Sequence, residues 1–118
     1  MVGSALVGTS LDLSKIRRIF KETTSNKIMR TVVFYENTAE ATMEKLMEFF
    51  PQHQENEDKF VKAGKVIGIG PFSIPGQGAM GIFTDRESAE EFVKNDPFVL
   101  KGLVTYTMKD WVDDLEGK

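Results

Sequence analysis

Between Lys65 and Thr84 the chain reads KVIGIGPFSIPGQGAMGIFT. Two apolar runs flank a turn built on Pro75-Gly76 and Gly78, the signal of a β-hairpin. Helical periodicity stands on either side of this hairpin, and a further apolar run lies beyond each helix. A central hairpin inside that order leaves few topologies, because crossover connections between parallel strands are right-handed.

Upstream, MRTVVFY at 29–35 is rich in β-branched and aromatic residues and reads as a buried strand. Asn37 and Thr38 can cap the next element, with Glu40 placed for a capping box. Met43, Leu46, Met47 and Phe50 then recur at helical spacing and define an expected apolar face. Pro51 is expected to break or restart that helix. A second helical stretch follows from Gln52 to Ala63, stopped by Gly64 as a left-handed cap. Downstream, Thr84 and Glu87 offer a capping box for a helix burying Ala89, Phe92 and Val93, which Asp96-Pro97 ends. A last strand runs from Leu103 to Lys109, followed by Trp111 and an acidic tail.

The order β-α-β-β-α-β predicts an α+β fold, a ferredoxin-like sandwich with an antiparallel four-stranded sheet and both helices on one face. The other face carries apolar residues from the strands, and sheet-to-sheet dimerisation would bury them. The expected boundaries are an N-terminal extension over 1–28, a domain over 29–112 and a tail over 113–118. Within the extension, Lys15, Arg17, Arg18, Lys21 and Lys27 oppose only Asp12 and Glu22. Leu13, Ile16, Ile19 and Phe20 keep helical spacing there, and Ser10 can cap the start. An accessory helix is the plain reading; a targeting sequence or a basic contact surface are the sharper ones.

Composition removes several classes of function. The net charge is -3, which argues against general nucleic-acid affinity. With no cysteine there is no thiolate nucleophile, disulfide or cysteine-ligated metal, a usage that suits the cytoplasm. One histidine alone makes a transition-metal site a poor expectation. No apolar run reaches the ~20 residues that span a bilayer. GQGAMG at 76–81 spells a dinucleotide fingerprint, but it leads into a strand, where the fingerprint needs a helix N-terminus to receive the pyrophosphate. The glycines of GIGPF at 68–72 mark a bulge or a close approach of another backbone, or leave room for a ligand.

The residues with the most chemistry are His53 and Asp96. Imidazole titrates near neutrality, and a carboxylate that orients it completes a minimal acid–base device. Each has a plainer reading. His53 can be a solvated helix residue or pair with Glu57 one turn on, and Asp-Pro is a common helix stop. Glu90 and Glu91 read as a solvated helix face.

Taken together, His53, Gly64, KVIGIGP, the hairpin, the helix ending in Asp96-Pro97-Phe98, Gly102 and the terminal strand resemble the YciI-like, YCII-related family over residues 29–112. The resemblance implies a ferredoxin-like fold that dimerises into an α+β barrel. It implies a cleft in which His53 and Asp96 form a catalytic pair, lined by Gly70, Pro71 and Phe98. Dehydrochlorination of chlorinated hydroxyhydroquinones in a related member, and a barrel similar to that of muconolactone isomerases, point to proton transfer on small cyclic or aromatic catabolites.

The expectation is therefore a cofactor-independent enzyme performing isomerisation or elimination, with no metal. His53 is the base or acid, Asp96 its orienter, and Phe72 and Phe98 pack against the substrate. The expected partners are a small-molecule substrate and a second copy in a homodimer or higher oligomer, with neither nucleic acid nor membrane. The rival is a non-enzymatic module that binds a small ligand or a protein through the same dimeric cleft.

Overall fold

The computed structural model describes residues 28–115; the helix expected over Ser10–Phe20 and the end of the acidic tail lie outside them. Met29–Trp111 form one compact unit. Its elements are β1 (Ile28–Asn37), α1 (Met43–Lys62), β2 (Val66–Pro71), β3 (Ala79–Phe83), α2 (Arg86–Asn95), α3 (Pro97–Leu100) and β4 (Val104–Asp113). The strands form one sheet in the order β2-β3-β1-β4. The β1–β3 and β2–β3 pairs are antiparallel, so the sequence order β-α-β-β-α-β closes as a ferredoxin-like α+β fold.

Strand alternation decides which side chains meet the helices. Val33, Tyr35, Phe83 and Val104 point to the helical side and are buried with Ala89, Phe92 and Val93 of α2. On the opposite side Val32 faces Ile82 and Phe34 faces Met80 across the β1–β3 ladder. These pairs shield one another: Val32 is buried and the other three are half-buried, so that face is less bare than the alternation alone suggests.

The hairpin forms with Gly76 and Gly78 at positive φ. A Cβ at Gly78 would run into the Tyr35 carbonyl oxygen, so only glycine fits there. The glycine-rich strand β2 carries a bulge between Val66 and Gly68, one of the two readings its sequence left open.

Several local expectations change. Thr42, not Asn37 or Thr38, caps α1 and accepts the Lys45 N–H at 3.2 Å. The Thr38 hydroxyl is engaged elsewhere, 2.6 Å from the Gly102 carbonyl, and Glu40 pairs with Lys45 at 2.7 Å. Asp85 caps α2 through the Ser88 N–H, while Thr84 donates to the Asp85 carboxylate. Asp96-Pro97 ends α2 but also opens the single turn α3, with Pro97 at its first position. Strand β4 runs on through Trp111, past the expected end at Lys109.

The largest change concerns Pro51, which lies inside one unbroken helix. Pro51 and Met47 are both exposed, so water can take the carbonyl that proline leaves without an N–H. A continuous helix has one phase along its length. Leu46, Phe49, His53, Asn56 and Phe60 form its inward stripe, and Met43, Met47 and Phe50 turn outward at 73%, 62% and 45% exposure. Of the expected apolar face Met43, Leu46, Met47 and Phe50, only Leu46 lies on the inward stripe. The C-terminal end follows expectation: Gly64 adopts φ 74°, its N–H bonds the Val61 carbonyl, and the Lys65 N–H reaches Phe60.

Candidate active site

Asn56 sets α1 against α2. The Asp96 N–H bonds Val93, so the Phe92 carbonyl lacks its helical partner, and the buried Asn56 amide donates to it at 3.1 Å. This fixes the inward stripe of α1 one turn above the aromatic core, where Phe92 packs between Phe60 and Phe83 at 5.5 and 5.1 Å. His53, the next inward residue toward the N-terminus, lands on the edge of Phe92 at 6.4 Å.

Asp96 arrives from the other side, as the joint between α2 and α3. Its side chain is 1% exposed. Oδ1 accepts the Phe98 N–H at 3.0 Å, the capping bond of α3, and lies 2.9 Å from His53 Nδ1. A carboxylate oxygen that takes a backbone N–H is an acceptor, so the ring supplies the second proton. That assigns Nδ1–H to His53 and makes Nε2 the nitrogen that can gain or lose a proton. The Phe98 ring then stacks on the imidazole, with centroids 4.2 Å apart and planes 9° apart. Phe50 stands at 6.1 Å, tilted by 42°.

His53 thus meets its long-range carboxylate and also the local one. Nε2 lies 3.6 Å from Glu57 Oε2 one helical turn on, with the two side chains 16% and 21% exposed. The local pairing, which the sequence offered as the plainer alternative, coexists with the distant pairing on opposite ring nitrogens.

Tyr35 is buried on β1, and its hydroxyl has no hydrogen-bond partner among the described residues. Burial pushes its titration far above the usual tyrosine range, and the nearby Asp96, Tyr106 and Glu57 push the same way. The phenol therefore stays neutral. Neither Tyr35 nor Asn56 is marked by its sequence context; β alternation and helical phase would place them inward, but only the tertiary packing buries them and pairs Asn56 with Phe92.

The other candidate residues separate. Phe98 is on the imidazole. Gly70 pairs with Met80 on the sheet face away from the helices, while Pro71 pairs with Ala79 on the helical side at the exposed end of β2. Phe72 lines an open hollow of about 520 Å³ with Glu36, Asn37, Gly76 and Gln77. A second hollow of about 480 Å³ lies between Lys59, Phe60, Ala63 and Lys65 on one side and Glu87, Ser88, Glu91 and Asn95 on the other. Neither is lined by His53 or Asp96. Among the described residues no cluster of histidine and carboxylates could hold a metal ion, and no helix is long and apolar enough to cross a membrane.

No curated protein matches the chain. The model of the YCII-related domain matches residues 29–112, the span that holds every strand residue but the first and last and the whole of the His53 and Asp96 setting. On that match the chain belongs to the YCII-related family.

Proposed function

We propose that this protein is a cofactor-independent enzyme that moves a proton on a small organic molecule, with isomerisation or elimination as the outcome. His53 Nε2 is the general base, and Asp96 orients the ring and stabilises the imidazolium it becomes. The observation that carries this reading is the 2.9 Å contact between His53 Nδ1 and the sealed Asp96 carboxylate. It supports a proton on Nδ1 and leaves Nε2, which faces Glu57 at 3.6 Å, as the basic nitrogen. A general base so placed contributes about 10²- to 10⁴-fold to rate. Phe98 offers the flank against which a planar substrate lies.

The working form in this proposal is a homodimer in the cytoplasm, formed sheet to sheet. Gly68 and Gly70 support that arrangement: a Cβ built on either meets nothing within 4 Å, so a second backbone has room over that face. Light scattering on the purified chain reads the mass directly, and a monomer would remove this part of the proposal.

The test of the chemistry is His53→Ala. Turnover of a screened substrate falls to background while circular dichroism and molecular mass stay as in the wild type. Retained turnover removes His53 from the mechanism. One observation favours a second reading, a non-enzymatic ligand carrier: the two hollows lie against residues other than His53. That reading expects a ligand to raise the melting temperature with no product formed, and Phe72→Ala to abolish the rise while His53→Ala leaves it intact.

A further inference from the structure

Glu57 is built into position rather than left to solvent. Its Oε1 lies 3.4 Å from the Gln54 amide nitrogen, which also donates to Asp58 at 3.0 Å, and its Oε2 faces His53 Nε2 at 3.6 Å. The imidazole therefore stands between two carboxylates, Asp96 at Nδ1 and Glu57 at Nε2. Asp96 is sealed and hydrogen-bonded at close range. Glu57 is half-buried and just beyond hydrogen-bond distance, on the side that the base must use.

Resting on the reading of His53 as the base, we propose that Glu57 is a second catalytic acid–base group, and that the pair performs a 1,3-proton shift on an uncharged carbonyl compound with a β,γ double bond. In the reactive form the ring is neutral and Glu57 carries the proton. Nε2 takes a proton from the carbon between the carbonyl and the double bond, giving imidazolium and a dienolate. The electron pair moves through the former double bond to the γ-carbon, which takes the proton from Glu57, leaving carboxylate and the conjugated product. A proton then passes from Nε2 to Oε2, and the pair is restored with no net change.

Two features select this class. The shift needs a donor and an acceptor of protons on atoms two bonds apart on one face, which suits two groups held one helical turn apart. The Asp96 carboxylate beside the imidazole also disfavours an anionic substrate, since unit charges at 4 Å repel by about 1 kcal/mol even in water.

The test uses the full chain and two probes. Diethyl pyrocarbonate acylates the unprotonated nitrogen of the single histidine, and His53→Ala gives the blank. Glu57→Ala is expected to speed acylation about three- to fivefold, because the side chain that faces Nε2 at 3.6 Å no longer shields it from the reagent. An unchanged rate overturns the pairing of Glu57 with Nε2. The second probe is α-angelica lactone in deuterium oxide, followed by proton NMR for both deuterium uptake and conversion to the conjugated isomer. Wild type does both. Glu57→Gln keeps uptake at the carbon next to the carbonyl and loses conversion by about tenfold or more, the size of a missing general acid; a purely structural role would lower both together. Conversion at the wild-type rate in Glu57→Gln overturns the catalytic role of Glu57 and leaves His53 standing. Conversion at the wild-type rate in His53→Ala overturns both. Inert wild-type protein overturns the substrate class.

Discussion

The Phe98 ring lies parallel to the His53 ring at 4.2 Å, and the Phe98 backbone N–H bonds the Asp96 oxygen that orients that same ring. One residue thus holds the imidazole by its face and the carboxylate by its backbone. Phe98→Leu keeps the backbone bond and removes the stack. The ring protons of His53 are then expected to move downfield in the NMR spectrum as the aromatic ring current is lost. Stability should fall by about 1 kcal/mol beyond the lost apolar area, and turnover by about tenfold as the ring gains freedom. Unmoved ring protons would mean that the stack does not persist in solution.

Asp96 has two loads, and two substitutions separate them. Nitrogen-15 correlation spectra of the wild type should show neutral His53 with its proton on Nδ1. Asp96→Asn keeps an oxygen that can accept both N–H groups but removes the charge. It should lower turnover about 10²-fold or more with little change in substrate affinity. Asp96→Ala also uncaps α3 and leaves a half-buried ring N–H without an acceptor, at a cost of about 2–4 kcal/mol in urea unfolding. A wild-type proton on Nε2 would reverse the roles of the two nitrogens.

Tyr35 carries a hydroxyl that is buried without a partner among the described residues. Tyr35→Phe is expected to leave stability unchanged or to raise it by up to about 1 kcal/mol, because a desolvated group is removed. The pH dependence follows from the direction of its shift. The folded phenol titrates above the unfolded one, so its contribution is fully present below the unfolded tyrosine value of about 10 and is lost as pH rises beyond it. Ultraviolet titration should show one tyrosine that ionises only as the chain unfolds, and in Tyr35→Phe that component of alkaline destabilisation should vanish.

Gly78 sits at φ 90° against the Tyr35 carbonyl. Gly78→Ala should cost about 2 kcal/mol or more, since the backbone strain and the clash with β1 add. Gly76→Ala, at φ 88° in open space, should cost less. Equal losses in chemical denaturation would mean that the hairpin moves away from β1 to admit a side chain.

The order of elements was legible because the periods change sharply, from two in the strands to 3.6 in the helices, with Gly64, Pro75-Gly76 and Asp96-Pro97 as punctuation. The inward side of α1 was not legible. Pro51 suggested two short helices with separate phases, and exposed Met43, Met47 and Phe50 imitate a core stripe as well as Leu46 and Phe60 form one. The distance between His53 and Asp96 was beyond the reach of spacing alone, because it depends on how Asn56 docks α1 on α2. The same limit applied to Tyr35, whose burial without a partner among the described residues is a tertiary fact. The family resemblance puts Gly70 and Pro71 in one cleft lining, whereas strand alternation sends them to opposite faces.

Thr38, at the end of β1, binds the carbonyls of Gly102 and Leu103, and His53 finds its carboxylate at Asp96. The carboxylate at Nδ1 and the ring stacked on the imidazole both come from residues 96–98, beyond α1 and the hairpin. While the polypeptide is being synthesised, a ribosome that has delivered the whole of α1 and the hairpin has still delivered an imidazole without the carboxylate that orients it.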